Sequence, residues 1–441
     1  MTVIVQPGTD SNGNPQPMVY DQDTGKVIVD SNGYVLNGGQ KLVNIPSKAN
    51  YVSTPKTQTA GIQEAIDYVP DNSVIFLKTG IYSPQTTIII QKNIVLLGTP
   101  SIQMNFGPMG SQYGLSPVAI QSGGNFPTFE IEEISSITAP SISFIGITLI
   151  GSNDTSYTDE VAILGDPSAS EVNIDFSFSR ITAYYDCVHL EGHYSIFSAN
   201  SSLFDSFLNG GIKCDYGELN LIFCHINNAA LTSALSTGYA IEINTTFQKA
   251  TITQCILEAR GTVINFNGIT GNCQIVGGHL YNDVAGYALS INGNAGELLR
   301  IIGCSAYSGT GSAFMYIDTA IKNLSVSSVN AQGTSALYSL GSSGSFSSNV
   351  NIRNSYPLSA PSTPSVPASA TAQQNTNPYA VDVYIYGGTV TEIQITRNGT
   401  VYTVFSNSTG LALSGQAYKL NPGDSITVTY TAAPSWEWLS D

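Results

Sequence analysis

Residues 188–191 read Val-His-Leu-Glu and residues 212–215 read Ile-Lys-Cys-Asp, and this pattern of apolar, variable, apolar, then acid or Asn recurs. The later copies are Ile241–Asn244, Ile264–Asn267, Leu289–Asn292 and Met315–Asp318. The final residues of successive copies are 24, 29, 23, 25 and 26 positions apart. A looser match extends the series back through Asp166, Glu132 and Asn105. A repeat of this length predicts an array of stacked structural units.

Each copy alternates as a strand does, not as a helix does. The sequence therefore predicts an all-β protein, a right-handed parallel β-helix of about ten coils with one N-terminal capping helix. The two apolar residues of each copy would point inward, and neighbouring coils would lie about 4.8 Å apart. The fourth residues would then form a file along the axis. In that file Asn244, Asn267 and Asn292 are expected to pass amide hydrogen bonds from coil to coil.

The cysteines support the same register. All six lie within the repeats, namely Cys187, Cys214, Cys224, Cys255, Cys273 and Cys304. Cys224, Cys255 and Cys304 follow similar apolar runs, so we expect them to stack inside the coils. Buried free thiols are favoured, with a disulfide between neighbouring coils as the alternative. No Cys-x-x-Cys pair occurs, and neither a metal site nor a cofactor is predicted.

Composition limits the function. Of 441 residues only 10% are charged, and the net charge is -16 with 15 basic residues. Such a surface argues against nucleic-acid binding and would repel an anionic polymer unless the charge were compensated locally. The first eight residues lack the charged start and apolar run of a secretory signal. No run of 18 apolar residues is present, so no membrane insertion is expected.

The chain divides into four predicted parts. Residues 1–45 form an N-terminal arm of hairpins with Asn-Gly and Thr-Gly turns. Residues 46–358 form the β-helix, capped by a helix near 60–69 that ends at Pro70. Residues 359–372 are a linker rich in Pro, Ser, Ala and Thr, and residues 373–441 form a small C-terminal β-sandwich.

Two segments resemble known families. Residues 61–66 (GIQEAI), a following strand, the turn Gly80-Ile81-Tyr82 and the strand Ile94–Gly98 resemble the N-terminal segment of pectate-lyase-like β-helix proteins. That superfamily includes polysaccharide lyases, glycoside hydrolases and viral tailspikes. Residues 375–379, 387–390, 422–426 and 434–438 resemble a short C-terminal module of phage and archaeal-virus structural proteins. The resemblance implies a virion protein, and the likeness to tailspikes implies a homotrimer as one assembly.

Candidate site residues cluster on neighbouring repeats. The candidate catalytic residues are Glu191, Asp215, Asp186 and Asp205, and the candidate binding residues are Tyr184, Tyr185, His189, His193, Lys213 and Tyr216. Glu191 and Asp215 occupy the same position one coil apart, so their carboxylates could approach to about 5 Å, as in retaining glycosidases. Like charges that close would raise one pKa and supply a general acid. The alternative is that both are acid members of a structural ladder.

The leading hypothesis is a virion surface or tail protein, acting outside the cell. Its partners would be a host-surface polysaccharide or glycoprotein and other virion proteins. The alternative is a polysaccharide-degrading enzyme, and a cellular surface-layer or adhesin protein is a third reading. The polygalacturonase pattern of paired Asp, His-Gly and Arg-Ile-Lys is missing, and Arg180 and Arg260 are too isolated for a pectate-lyase groove. These departures from the family weigh against catalysis.

Overall fold

The structure is a computed structural model of the chain. It describes residues 2–9, 15–21, 27–29, 34–37, 40–44, 58–77, 79–98, 118–133, 140–166, 171–192, 194–228, 234–235, 237–268, 271–283, 286–293, 298–311, 313–334, 336–356 and 363–440.

Each coil contains three short strands, one on each of three faces that we name A, B and C. In one coil these are Asn173–Ser177 on face A, Arg180–Thr182 on face B and Asp186–Leu190 on face C. The strands pair in parallel with the next coil, residue for residue, so that Val188 lies opposite Ile212. This stacking confirms the parallel β-helix.

The strand bounds follow from that pattern. Face A contains Ser73–Leu77, Ile94–Leu97, Ser141–Ile145, Asn173–Ser177, Ile196–Asn200, Asn272–Val276, Leu298–Ile302, Ala320–Ser327 and Ser345–Arg353. Face B is a sheet of ten strands, Gly80–Tyr82, Val118–Gln121, Thr148–Ile150, Arg180–Thr182, Leu203–Asp205, His225–Asn227, Ile256–Ala259, His279–Asn282, Ser305–Gly311 and Asn330–Thr334. Face C contains Ile88–Ile90, Phe129–Ile131, Val161–Gly165, Asp186–Leu190, Ile264–Phe266, Leu289–Ile291, Met315–Ile317 and Tyr338–Leu340. Two longer strands, Gly210–Ile222 and Tyr239–Thr253, run through face C into face A.

Alternating residues fill the interior. Phe129, Phe144, Phe176 and Phe204 are fully buried and follow one another along the axis, with ring centroids 5.0, 6.0 and 5.5 Å apart. Burying one such side chain contributes about 1.5–3 kcal/mol. The apolar residues of the repeat therefore hold the coils in register.

The expected capping helix is present as Ile62–Tyr68. Ile62, Ala65 and Ile66 are buried, and the helix packs against Thr2–Thr9 and Ile88–Ile90. Lys92 Nζ donates to the carbonyl oxygens of Ile66, Asp67 and Val69 at 2.9, 3.0 and 2.9 Å, which satisfies the carbonyls left open at the helix end. No described helix is long and apolar enough to cross a membrane.

The N-terminal strands pair as antiparallel neighbours in sequence order. They are Thr2–Thr9, Pro15–Asp21, Val27–Val29, Tyr34–Asn37 and Gln40–Asn44. The first strand also pairs in parallel with Ser73–Leu77, and Tyr82 Oη donates to the buried Val5 carbonyl at 2.8 Å. The first strand thus extends face A of the β-helix, while the Asn-Gly and Thr-Gly turns lie outside the described residues.

The C-terminal module is antiparallel. Its strands are Ala372–Gln374, Val381–Arg397, Thr400–Leu420, Ser425–Ala432 and Ser435–Ser440, and hydrogen bonds join all of them in one sheet. The described part of the predicted linker packs on it, because Trp436 Nε1 donates to Pro364 O and Tyr430 Oη to Pro367 O, each at 2.7 Å. Proline removes backbone donors but leaves carbonyls free to accept such bonds.

All six cysteines are buried free thiols, as expected. Cys224 and Cys255 occupy the same corner on adjacent coils, where the Cys224 backbone nitrogen donates to Cys255 Sγ at 3.4 Å. Gly278 takes this corner in the next coil, before Cys304. Cys224, Cys255 and Cys304 thus serve as small core residues at a tight corner.

Candidate functional site

A file of polar side chains follows the end of face C, one residue from each coil as far as Asp318, after which Gly341 takes the position. We call it the polar file, and its members are Gln91, Glu132, Asp166, Glu191, Asp215, Asn244, Asn267, Asn292 and Asp318. All are half-buried or exposed. The predicted alignment is therefore confirmed from Glu132 onwards. Asn105 lies outside the described residues, and Ile88–Ile90 pairs directly with Phe129–Ile131, so that Gln91 is the neighbour of Glu132.

Amide groups link members of the file. Asn244 Nδ2 donates to Asp215 Oδ1, and Asn267 Nδ2 donates to Asn244 Oδ1 at 3.0 Å. Asn292 instead donates to Asn265 Oδ1 at 3.0 Å, an outward residue of face C. The predicted amide hydrogen bonds along the file are therefore present for Asn244 and Asn267, whereas Asn292 donates to a residue outside the file.

His189 lies at the centre of the candidate site. It points outward from face C, and its side chain is 12% exposed. Its Nδ1 lies 3.3 Å from Glu191 Oε1 and its Nε2 lies 3.1 Å from Asp215 Oδ2. The imidazole can donate to both carboxylates only when both ring nitrogens carry hydrogen. Lys213 lies opposite His189 in the next coil and adds a cationic side chain.

The predicted carboxylate approach is present, but the predicted rise in pKa does not occur at Asp215. One ligand atom each of His189, Glu191 and Asp215 lies within 4.8 Å of the others. Burial acts to raise the pKa of Asp215, yet the hydrogen bonds from His189 and Asn244 and the charge of Lys213 outweigh it and lower that pKa. Asp215 is therefore ionised at neutral pH and is a poor general acid. The expectation of a raised pKa was wrong for Asp215 because the imidazole and the amide meet the carboxylate.

A second cluster of acidic side chains lies two coils closer to the N-terminus than the His189 cluster. Glu130, Glu132 and Asp166 also place one oxygen each within 4.8 Å of the others, and Gln91 Nε2 donates to Glu132 Oε2 at 2.7 Å. Burial, followed by the charges of Glu132, Asp166 and Glu191, raises the pKa of Glu130. Carboxylate oxygens are ligands that divalent cations accept, although exposed acidic groups are also common without one.

Asp205 does not join the His189 cluster. It lies on face B, where Arg180 binds it with two contacts, Nε to Oδ1 at 3.0 Å and Nη2 to Oδ2 at 2.6 Å. A bidentate guanidinium leaves little of the carboxylate for chemistry. Asp205 is therefore a structural residue, and Arg180 is its partner rather than an isolated cation.

Asp186 is at the opposite end of its strand from Glu191 and is buried. Asn209 Nδ2 donates to Asp186 Oδ1 at 2.9 Å, and burial raises the pKa of the carboxyl to about 6. A Cβ on the neighbouring Gly210 would lie 2.5 Å from Asp186 Oδ1, so the glycine makes room for the acid. Asp186 therefore does not share a site with Glu191 and Asp215.

The aromatic candidates separate in the same way. Tyr184 is fully buried, with its hydroxyl 2.9 Å from Thr128 Oγ1, so its assignment to a binding surface is corrected. Tyr185 is half-buried beside Asp186, at the far end of face C. Tyr216 is half-buried and follows Asp215, which keeps it next to the cluster. His193 lies outside the described residues.

Comparisons with known proteins place these features in context. No family model and no curated protein matches the chain. Among solved structures, ORF18 of Geobacillus virus E2 is 16% identical with a TM-score of 0.34, covering 73% of this chain and 65% of that one. This chain thus spans less than two thirds of the length of ORF18. The Acinetobacter phage vB_ApiP_P1 tailspike is 10% identical with a TM-score of 0.38, covering 98% and 96%. The enzymatically active domain of bacteriophage CBA120 tailspike protein 4 is 12% identical with a TM-score of 0.37, covering 99% and 74%.

The three parallel faces and the continuous polar file decide the architecture. The fold is a parallel β-helix.

Some side-chain contacts of this β-helix were not found from the sequence. The Arg180–Asp205 pair joins face B residues of adjacent coils, where no repeated signature marks the register. The half-buried Glu242, which accepts from Asn265 Nδ2 at 3.1 Å, stands at the variable position of its repeat copy. His189 and Lys213 occupy the same variable position in the two preceding copies. A comparison of that position across the copies would therefore have identified Glu242 as well.

Proposed function

We propose that the chain is the recognition part of a virion surface or tail protein, and that the polar file with His189 and Lys213 binds a host-surface glycan. The observation that carries this proposal is the polar file itself. It presents carboxylates and amides in a row on a backbone whose strands are hydrogen-bonded on both sides.

Saccharides require a surface that both donates and accepts hydrogen bonds. The carboxylates of Glu191 and Asp215 accept from hydroxyl groups, whereas the amides of Asn244, Asn267 and Asn292 do both. Neighbouring members are one coil apart, about 4.8 Å, which is comparable with the length of one sugar ring. A rigid row of this kind loses little conformational freedom when a ligand binds, which favours affinity.

The C-terminal module supports a role in assembly within the same proposal. Val401, Tyr402, Val404 and Leu411 on the strand Thr400–Leu420 are large apolar residues that remain exposed. Exposed apolar groups on one strand favour contact with another protein. Other virion proteins, or copies of this chain in a homotrimer, are the proposed occupants, and the mass of the protein in solution tests the trimer.

Binding to host surface polysaccharide tests the recognition role. The double variant Asn244→Ala/Asn267→Ala should weaken binding by about tenfold or more, because hydrogen bonds contribute about 0.5–1.5 kcal/mol each. Asn330→Ala, an exposed Asn on face B, is the matched control and should leave binding unchanged. Equal affinity of all three proteins would contradict recognition by the polar file.

A polysaccharide-degrading enzyme is the second candidate. The observation in its favour is that Glu191 and Asp215 lie close together around His189, a side chain able to exchange a proton. Products released by wild-type protein but not by Glu191→Gln/Asp215→Asn would support catalysis. Binding by both proteins without products would exclude it.

A further inference from the structure

A groove on face A brings together two cationic side chains of this acidic protein. We call it the face A groove, and it is lined by Lys249, Thr251, Asn272, Gln274, Leu298 and Arg300. These residues come from three consecutive coils, with Thr251 opposite Gln274 and Gln274 opposite Arg300. The groove encloses about 230 Å³.

Lys249 and Arg300 make fewer polar contacts than three other described cations. Lys92 donates to three carbonyls, while Arg180 and Arg397 are held by Asp205 and Asp424. Among the described residues, by contrast, the exposed Arg300 has no ion-pair partner. Lys249 is 51% exposed and its Nζ lies 3.9 Å from Glu218 Oε2. An exposed pair at that distance holds the cation weakly.

The space between the cations is polar and uncharged. Thr251 contributes a hydroxyl, and Asn272 and Gln274 contribute amides that both donate and accept. Ala250 and Cys273 are buried below them, and the half-buried Leu298 gives one apolar contact. Lys249 and Arg300 are two coil steps apart, about 10 Å along the axis. That separation leaves room for a sugar unit whose anionic group reaches one of them.

We infer that the face A groove binds an acidic saccharide through Lys249 and Arg300. The anionic group is a carboxylate or a sulfate, which a guanidinium can bind with two parallel hydrogen bonds. Thr251, Asn272 and Gln274 bind the hydroxyl groups of the sugar. A protein with a net charge of -16 repels anionic ligands in general. The two cations of the groove supply local positive charge that offsets this repulsion. It lies on face A, apart from the polar file, and does not depend on the function proposed for that file.

Calorimetric titration of the full chain with three hexasaccharides tests this inference. A hyaluronan hexasaccharide carries carboxylates only, a chondroitin sulfate hexasaccharide carries sulfates as well, and maltohexaose is neutral. At least one acidic hexasaccharide should bind, more tightly at low salt than at physiological salt, and maltohexaose should not. The hexasaccharide that binds identifies the anionic group.

Variants locate the site on the molecule. Lys249→Gln/Arg300→Gln should weaken binding about tenfold or more, since each loses a charge-assisted contact. Glu218→Gln should strengthen binding, because it releases Lys249. Arg353→Gln removes an exposed cation elsewhere on face A and should change nothing. The inference fails if neither acidic hexasaccharide binds, if maltohexaose binds equally, or if Arg353→Gln weakens binding as much as the double variant.

Discussion

His189 contacts two carboxylates on adjacent coils, and this contact helps to lower the pKa of Asp215. Hydrogen bonds from His189 and Asn244 hold the pKa of Asp215 below its ordinary value. Because the folded state favours the ionised form, Asp215 stabilises the fold above the unfolded pKa of about 4. That contribution disappears as the pH falls through the lower folded pKa.

Asp215→Asn should therefore lower the free energy of unfolding at pH 7 by about 1–3 kcal/mol, the size of a hydrogen bond to a charged group. The difference from wild type should shrink as the pH falls below about 4. Urea unfolding at several pH values measures it. The exposed Asp67→Asn on the helix is the control and should show little difference. A difference for Asp215→Asn that does not vary with pH would contradict the account.

Asp186 should behave in the opposite sense. Burial raises its pKa to about 6, so the folded state disfavours the charged form. Asp186→Asn keeps an acceptor for Asn209 and should stabilise the protein above pH 6, by at most about 3 kcal/mol. The gain should decline below that pH and vanish below the unfolded pKa of about 4. A gain of equal size at pH 4 and pH 8, measured by urea unfolding, would show that ionisation is not its cause.

The sequence predicted single residues well only where the repeat assigns them a position. Glu191, Asp215 and Asn244 occupy the expected file because their apolar neighbours fix the register. Tyr184 and Asp205 lie outside the repeated pattern. Tyr184 points inward and Asp205 contacts Arg180 because of the way the chain turns between faces. The spacing of the repeat carries no information about that turn.

At the scale of elements, the turn from face C to face A requires a glycine in one coil. Gly217 has φ of +96°, and a Cβ there would lie 1.8 Å from the Ser195 carbonyl oxygen of the preceding coil. Gly303 has φ of +65°, but a Cβ there meets nothing within 4 Å. Gly217 therefore combines a left-handed backbone conformation with a close approach between two coils, whereas Gly303 has the left-handed conformation alone.

Gly303→Ala should cost only the left-handed conformation, about 1–2 kcal/mol. Gly217→Ala should cost clearly more, because the backbones of two coils must also move apart. Thermal or urea unfolding of the two variants measures the difference. Equal destabilisation would mean that the coils do not approach as closely at Gly217 as the structure has them.

Elements with a strong local pattern were predicted, and those defined by packing were not. The helix Ile62–Tyr68 follows from its apolar spacing and Pro70. The pairing of Thr2–Thr9 with Ser73–Leu77 joins segments about seventy residues apart and has no local signature. The contacts of Pro364 and Pro367 also have no local signature. The sequence around them predicts a linker, but their carbonyl oxygens accept hydrogen bonds from Trp436 and Tyr430.

For the whole molecule, both saccharide-binding proposals depend on the register of the coils. The polar file and the face A groove each consist of residues about 23 to 41 positions apart that become neighbours only through stacking. A slip of one residue would send the file into the core and its apolar neighbours to the surface.

Disulfide trapping tests this register most directly. Asn244 and Asn267 lie on adjacent coils with their amides 3.0 Å apart, and Asn292 lies one coil further on. A disulfide needs Cα atoms within about 7 Å, which adjacent coils satisfy and coils two steps apart do not. Under mild oxidation, peptide mass spectrometry should detect an intrachain disulfide in Asn244→Cys/Asn267→Cys and none in Asn244→Cys/Asn292→Cys. Cross-linking of the second pair, or failure of the first, would contradict the in-register polar file.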